Sequence, residues 1–203
     1  MPLTDVAICN MALGHIGHTK FVANLETERS LEAEVLNLYY QPARDFVLED
    51  YPWPEATKYA TLGLVADYTN VTTPHDWNYS YRYPADCLFA RRLVTLVGRV
   101  DPNPPPFRTG VDDVGRLIYT DQQDAVLEYT QLLTDPARFR TMLGQAISWY
   151  VAGLIAPSLA RDRKQAEGCL KMYGIIKSMA AAQAGNEQQQ SVEPESEFIR
   201  SRE

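Results

Sequence analysis

The sequence predicts an α+β fold: a four-helix bundle made from the two ends of the chain, carrying an inserted, mainly antiparallel β domain. Three observations predict it. Apolar residues recur at three- and four-residue steps near both ends, they alternate with polar residues in the middle, and most of the 13 prolines fall in or beside that middle stretch. A chain of 203 residues with 45% hydrophobic composition has the material for one sizeable core with an inserted lobe. The predicted division gives 1–55 and 134–183 to the helices, 56–133 to the β domain and 184–203 to an extended or disordered tail.

The first helix is expected to open at Thr4, whose hydroxyl caps free amides, with Asp5 near the positive end of the helix dipole. Val6, Cys9, Leu13 and Ile16 supply its apolar face, and Gly14 and Gly17 mark its end. A second helix reads from about Glu28 to Asp50, with Leu31, Val35, Leu38, Tyr39 and Phe46 as its inward stripe and Glu32, Glu34, Arg44 and Asp45 towards water. Pro42 predicts a kink there, or two shorter helices meeting, and Pro52-Trp53-Pro54 stops helix altogether.

From about Ala56 to Leu133 the period drops towards two, and strands are expected over 57–65, 77–83, 87–97, 107–111, 115–119 and 125–132. The run Asp101-Pro-Asn-Pro-Pro-Pro106 reads as a stiff exposed loop. Helix resumes at Pro136, with Phe139, Leu143, Ile147, Tyr150, Val151 and Leu154 on one face. A last helix over about Asp162–Ala184 turns Ala166, Cys169, Leu170, Tyr173, Ile176 and Ala180 inward. The tail is rich in Gln, Glu and Ser and too poor in apolar surface to fold alone, yet it carries the apolar pair Phe198-Ile199 beside Arg200.

The stretch Thr141–Ala160 has no charged residue and is long enough to cross a bilayer. Its glycines, serines, Gln145 and Pro157, with the strongest apolar residues at helical spacing, read instead as a buried helix, so no membrane is expected. A net charge of -7 and a pI of about 5.0 disfavour wrapping of nucleic acid. Cys9, Cys87 and Cys169 are scattered without CxxC spacing and read as buried thiols of a reducing compartment. No signal peptide is visible, so folding is expected in the cytoplasm.

Chemistry finds little support. His15 and His18 form an HxxH without a third ligand nearby, so a capping or surface pair is favoured over metal. His75 has no serine elbow or cysteine motif to serve, and neither phosphate-cradling glycine motif is present. Asp112-Asp113 and Glu49-Asp50 are conceivable acid and base pairs for glycoside hydrolysis, but adjacent residues diverge in a strand or helix and read better as turn and helix-end acids. Arg91-Arg92 reads as a balance to neighbouring acids, with local contact to nucleic acid as the alternative. No catalytic, cofactor or metal residue is therefore assigned.

The stretch Trp77-Asn-Tyr-Ser-Tyr-Arg-Tyr-Pro-Ala-Asp-Cys87 concentrates aromatic surface on one strand face: Trp77, Tyr79, Tyr81 and Tyr83. Their role is either packing between the β domain and the helices or contact with a neighbour. Pro84-Ala85-Asp86 turns the chain after them, and Asp86 is expected to accept backbone amides in that turn.

Four phrases occur in order: Ala7-Ile-Cys-Asn-Met-Ala-Leu-Gly-His-Ile-Gly17, then Ala43-Arg-Asp-Phe-Val-Leu48 leading to Pro52-Trp53, then 77–88, then Leu127-Glu-Tyr129. In this order the chain resembles the head-to-tail adaptor family of tailed bacteriophages, often called tail tubular protein A. The resemblance implies a non-enzymatic virion protein, made in the host cytoplasm, at the head-to-tail interface. It implies a homo-oligomeric ring, a dodecamer, between the portal protein and the tail tube or nozzle protein. Double-stranded DNA would pass through during ejection without sequence-specific binding, and no cofactor is implied. An acidic or neutral wall suits such a channel, because a basic one would hold DNA by counterion release. The family further suggests that the helices and C-terminal segment meet the portal while the β domain faces the tail. Phe198, Ile199 and Arg200 are then the expected anchor on the portal or a neighbouring subunit. The competing readings are a tail-associated glycan or peptidoglycan hydrolase using a carboxylate pair, and a monomeric module binding a small ligand on the aromatic strand.

Overall fold

The computed structural model describes residues 3–69, 76–94 and 103–187. It is an α+β structure in which two N-terminal and two C-terminal helices pack together and two antiparallel sheets are inserted between them.

Helix α1 spans Asp5–His15, opened by Thr4, whose Oγ1 accepts the Ala7 amide at 3.1 Å. It closes through Gly17, whose φ of 68° suits a residue without Cβ, while the His18 amide donates back to the Leu13 carbonyl at 3.0 Å. Helix α2 spans Leu31–Asp50, capped by Ser30 on the Ala33 amide, and it runs through Pro42 as one helix. Pro42 and Leu38 lie on the exposed side, so the Leu38 carbonyl that loses its intrahelical donor is turned to solvent.

The inward face of α2 differs from the expected stripe. Ala33, Leu36, Tyr40, Ala43, Val47 and Leu48 are buried, whereas Leu31 and Leu38 are 62% and 65% exposed. Both sets have helical spacing; the alanines allow the closer approach, and that face wins. Two residues expected to meet water are consequently buried with partners: Glu32 receives His18 Nε2 at 2.9 Å, and Arg44 pairs with Asp45 at 2.8 Å.

Helix α3 (Thr141–Leu159) packs against α1, α2 and the last helix, α4 (Arg163–Glu187), so it forms the axis of the helical part. It is long and apolar enough to cross a membrane, yet 56% of its apolar window is buried among the other helices. Gly153 lets α4 come close: a Cβ there would sit 2.7 Å from Leu170 Cδ2. Leu170, expected inward, is 41% exposed while it covers that glycine. Phe46 of α2 stacks on Tyr150 of α3 at 4.6 Å, and Tyr150 meets Tyr173 of α4 at 5.2 Å. Helix α4 continues past the predicted end at Ala184 to Glu187, which pairs with Arg140 at 2.8 Å across to the start of α3.

The β part has strands β1 (Thr57–Thr61), β2 (Gly63–Asp67), β3 (Tyr79–Arg82), β4 (Cys87–Val94), β5 (Phe107–Val111), β6 (Arg116–Thr120) and β7 (Val126–Gln131). One sheet has the order β1-β7-β4, the other β2-β3-β6-β5, and every pairing is antiparallel. The expected single strand over 57–65 is two strands in different sheets. The switch comes at buried Leu62, whose amide donates to the Ala125 carbonyl at 2.9 Å. Residues 95–97 of the expected strand over 87–97 and 101–102 of the proline run lie outside the described residues.

Two apolar cores result. One unites all four helices with Trp53 and Leu133; the other lies between the sheets, around Leu62, Tyr81, Leu93, Ile118, Leu127 and Tyr129.

Candidate functional site

The aromatic strand divides along its length. Tyr81 is 3% exposed, in the core between the sheets, and its hydroxyl donates to the Gln122 carbonyl at 2.9 Å. Tyr83 is also buried, with the Arg116 guanidinium 4.2 Å above its ring. Tyr79 is half-buried against Tyr81, with ring centroids 6.2 Å apart. Trp77 is half-exposed on a shallow groove shared with Arg108, Gly110 and Tyr119. The strand therefore completes the core of the β part itself, and the expectation that its aromatic face packs against the helices is corrected. The pairing of β3 with β2 on one side and β6 on the other sets this: it points Tyr81 towards the other sheet.

Asp86 closes the turn in an unexpected way. Its carboxylate accepts Lys58 Nζ at 2.7 Å and the Tyr129 hydroxyl at 2.8 Å, and its carbonyl accepts the Leu132 amide at 2.8 Å. The partners of the carboxylate are side chains of β7, the strand paired to β4, and of β1 beyond it, in place of the expected turn amides. The Lys58 hydrogen bond lowers its pKa below the ordinary carboxylate value, against a smaller opposing effect of burial.

The joint between the sheets and the helices is built at the C-terminus of α2, where backbone carbonyls lack intrahelical donors. Trp53 Nε1 donates to the Val47 carbonyl at 2.8 Å. Arg91 reaches from β4 to the Glu49 carbonyl at 2.8 Å and the Leu48 carbonyl at 3.3 Å, and its Nε donates to Thr130 Oγ1 at 2.9 Å. A cation is favoured here because the helix dipole is negative at this end. Asp50 completes the corner. Burial works against its charge, but hydrogen bonds from Lys177 and Tyr173 hold its pKa below the ordinary value. The sequence reads Arg91-Arg92 as a balance to neighbouring acids; a register shift between Ala90 and Arg92 lets both reach the same face of β7, Arg91 at Thr130 with α2 beyond and Arg92 at Glu128 at 2.6 Å. Both guanidinium groups are engaged inside the chain.

The conceivable acid pairs are likewise turn and corner devices. Asp112 receives Arg82 in a bidentate bridge at 2.7 and 2.8 Å and the amides of Val114 and Gly115. The Arg82 hydrogen bonds first, then those amides, drive its pKa far below the ordinary range, so it is not placed to donate a proton near neutrality. Asp50 is held ionised by its own partners.

His15 and His18 diverge. His15 stacks on Trp149 at 3.6 Å with Nε2 3.1 Å from Ser148 Oγ, whereas His18 meets Glu32. Among the described residues, no three His, Cys, Asp or Glu side chains are grouped to hold a metal ion. All three cysteines are buried, and burial raises the thiols of Cys9 to about 12 and Cys87 to about 11. His75 and the proposed anchor Phe198, Ile199 and Arg200 lie outside the described residues. No protein-family profile and no curated protein matches the chain.

Proposed function

We propose that this chain is a structural adaptor of a tailed phage, forming a ring that joins the portal to the tail tube or nozzle protein and surrounds part of the DNA exit channel. In this reading the four helices act as a bundle presented to the portal. The β part faces the tail, and the C-terminal segment docks through Phe198, Ile199 and Arg200.

One observation carries the reading. The phrases behind the resemblance fall on the elements that build the two cores and their joint: 7–17 on α1 and its glycine end, 43–48 with Trp53 at the capped end of α2, 77–88 on β3 and the Asp86 turn, and 127–129 on β7. A shared architecture would preserve such residues, because they build the two cores and the joint between them. The net charge of -7 also suits a channel wall that must release DNA.

Native mass spectrometry of the chain mixed with the portal ring of its own phage tests the proposal. The expected result is saturable binding at a fixed number of copies per portal ring. A correctly assembled portal that leaves the chain free overturns the reading.

A further inference from the structure

Two outward helix faces carry large apolar side chains exposed to solvent. On α2, Leu31 and Leu38 are 62% and 65% exposed, and helical geometry puts them in line with Glu34, Asp45 and Glu49. On α4, Ile175 and Met179 are 50% and 51% exposed, in line with Lys164 and Lys171. Beside them Gly174 and Ser178 leave an open apolar groove. A Cβ on Gly174 would meet nothing within 4 Å among the described residues, so no contact there explains a glycine that weakens the helix.

We propose that the α2 face of one copy of this chain docks antiparallel on the α4 face of a second copy. Charge selects this pairing. On its outward face α2 carries Glu34, Asp45 and Glu49, whereas the α4 face carries Lys164 and Lys171; Glu32 and Asp50 are already paired with His18 and Lys177 within the chain. Two α2 faces repel one another, as do two α4 faces; one of each attracts.

Helix dipoles then select the direction. Both directions seat Leu38 on Ile175 with an acid on a base, Glu34 on Lys171 when parallel and Glu49 on Lys164 when antiparallel. Antiparallel helices also set opposite dipole ends side by side, which favours that direction. The spacing agrees, since Glu49 follows Leu38 by eleven residues and Lys164 precedes Ile175 by eleven. Seating Leu38 on Ile175 therefore brings Glu49 to Lys164, each about 16 Å along its helix. The bulky α2 ridge fills the groove beside Gly174.

Such a contact joins unlike surfaces, so it builds rings or filaments unless two copies close on each other. It rests on the ring reading for its closure and on the two faces alone for its existence.

The test is native mass spectrometry of the full chain over a concentration series, with Leu38→Asp blocking one face and Ile175→Asp the other. Both sites are exposed, and circular dichroism checks that each variant keeps its helix content. The parent chain is expected to self-associate, and each variant to do so at least about tenfold more weakly. An equimolar mixture of the two variants should form a one-to-one pair and nothing larger, because each keeps the face the other has lost. Glu49→Lys and Lys164→Glu should each weaken association, and together in one chain restore it.

A parent chain monomeric at every concentration overturns the contact, as does a Leu38→Asp chain that associates like the parent. If the full chain is monomeric but a chain ending at Glu187 associates, the chain's own last residues cover a face and the proposal is equally overturned. Association that stops at a dimer, or that persists while the portal is ignored, leaves this contact standing and removes the adaptor reading instead.

Discussion

Tyr81 and Trp77 are alternate members of one aromatic run, yet Tyr81 enters the core with Ile118 whereas Trp77 lines the groove with Tyr119 and Gly110. Tyr81→Ala should destabilise the chain by about 3–5 kcal/mol, because it empties the core between the sheets and leaves the Gln122 carbonyl unpaired. Trp77→Ala, on the open groove, should change urea stability by no more than about 1 kcal/mol. Equal losses would mean that the groove is closed in solution. The alternating aromatics are legible in the sequence; their exposure depends on neighbouring strands that the sequence does not order. His15 supplies a pH signature. Burial lowers its pKa, so below about 6.5 the unfolded chain takes up the proton first. Its contribution is full above that pH and is lost as pH falls through the lowered folded value. The melting temperature should therefore drop between pH 7 and 5, and the drop should shrink in His15→Gln, which cannot titrate.

At the scale of elements, Arg91 is the link between β4 and the end of α2. Arg91→Ala should cost about 2–3 kcal/mol and make helix and sheet unfold at separate urea concentrations, read by far-UV circular dichroism and Tyr81-region fluorescence. Coincident transitions with unchanged midpoints would show that the joint does not depend on it. Gly153→Ala should cost about 1–3 kcal/mol by forcing Leu170 and α4 away from α3, measured by thermal melting. The helices and most strands were readable from their periods. The break of 57–65 into β1 and β2 was not, because Leu62 continues the alternation while its amide turns to Ala125 in the other direction.

For the whole molecule, carboxylates at three corners link acid tolerance to architecture. Asp112 is held by Arg82 and nearby amides, Asp86 by Lys58 and Tyr129, and Asp50, against burial, by Lys177 and Tyr173; all three pKa values are lowered. Their stabilisation is complete above the ordinary carboxylate pKa of about 4 and is lost as pH falls towards the lower folded values. Melting temperature should accordingly decline steeply below about pH 4 and less steeply in Asp112→Asn, which keeps one acceptor but cannot ionise. Asp112 and Asp86 brace the β part, and Asp50 ties the end of α2 to α4.

The alternation, the helical spacing, Thr4 and the prolines were enough to read four helices around an inserted β region, since these are local preferences written residue by residue. Which face of α2 turns inward was undecidable at that level: Leu31, Val35 and Leu38 repeat at helical steps as regularly as Ala33, Leu36, Tyr40 and Ala43. Packing against α3 chose between them, because alanines permit a close helix approach that leucines block. That choice, made only by the folded chain, buries Glu32 and Arg44 with partners and leaves a leucine ridge facing outward.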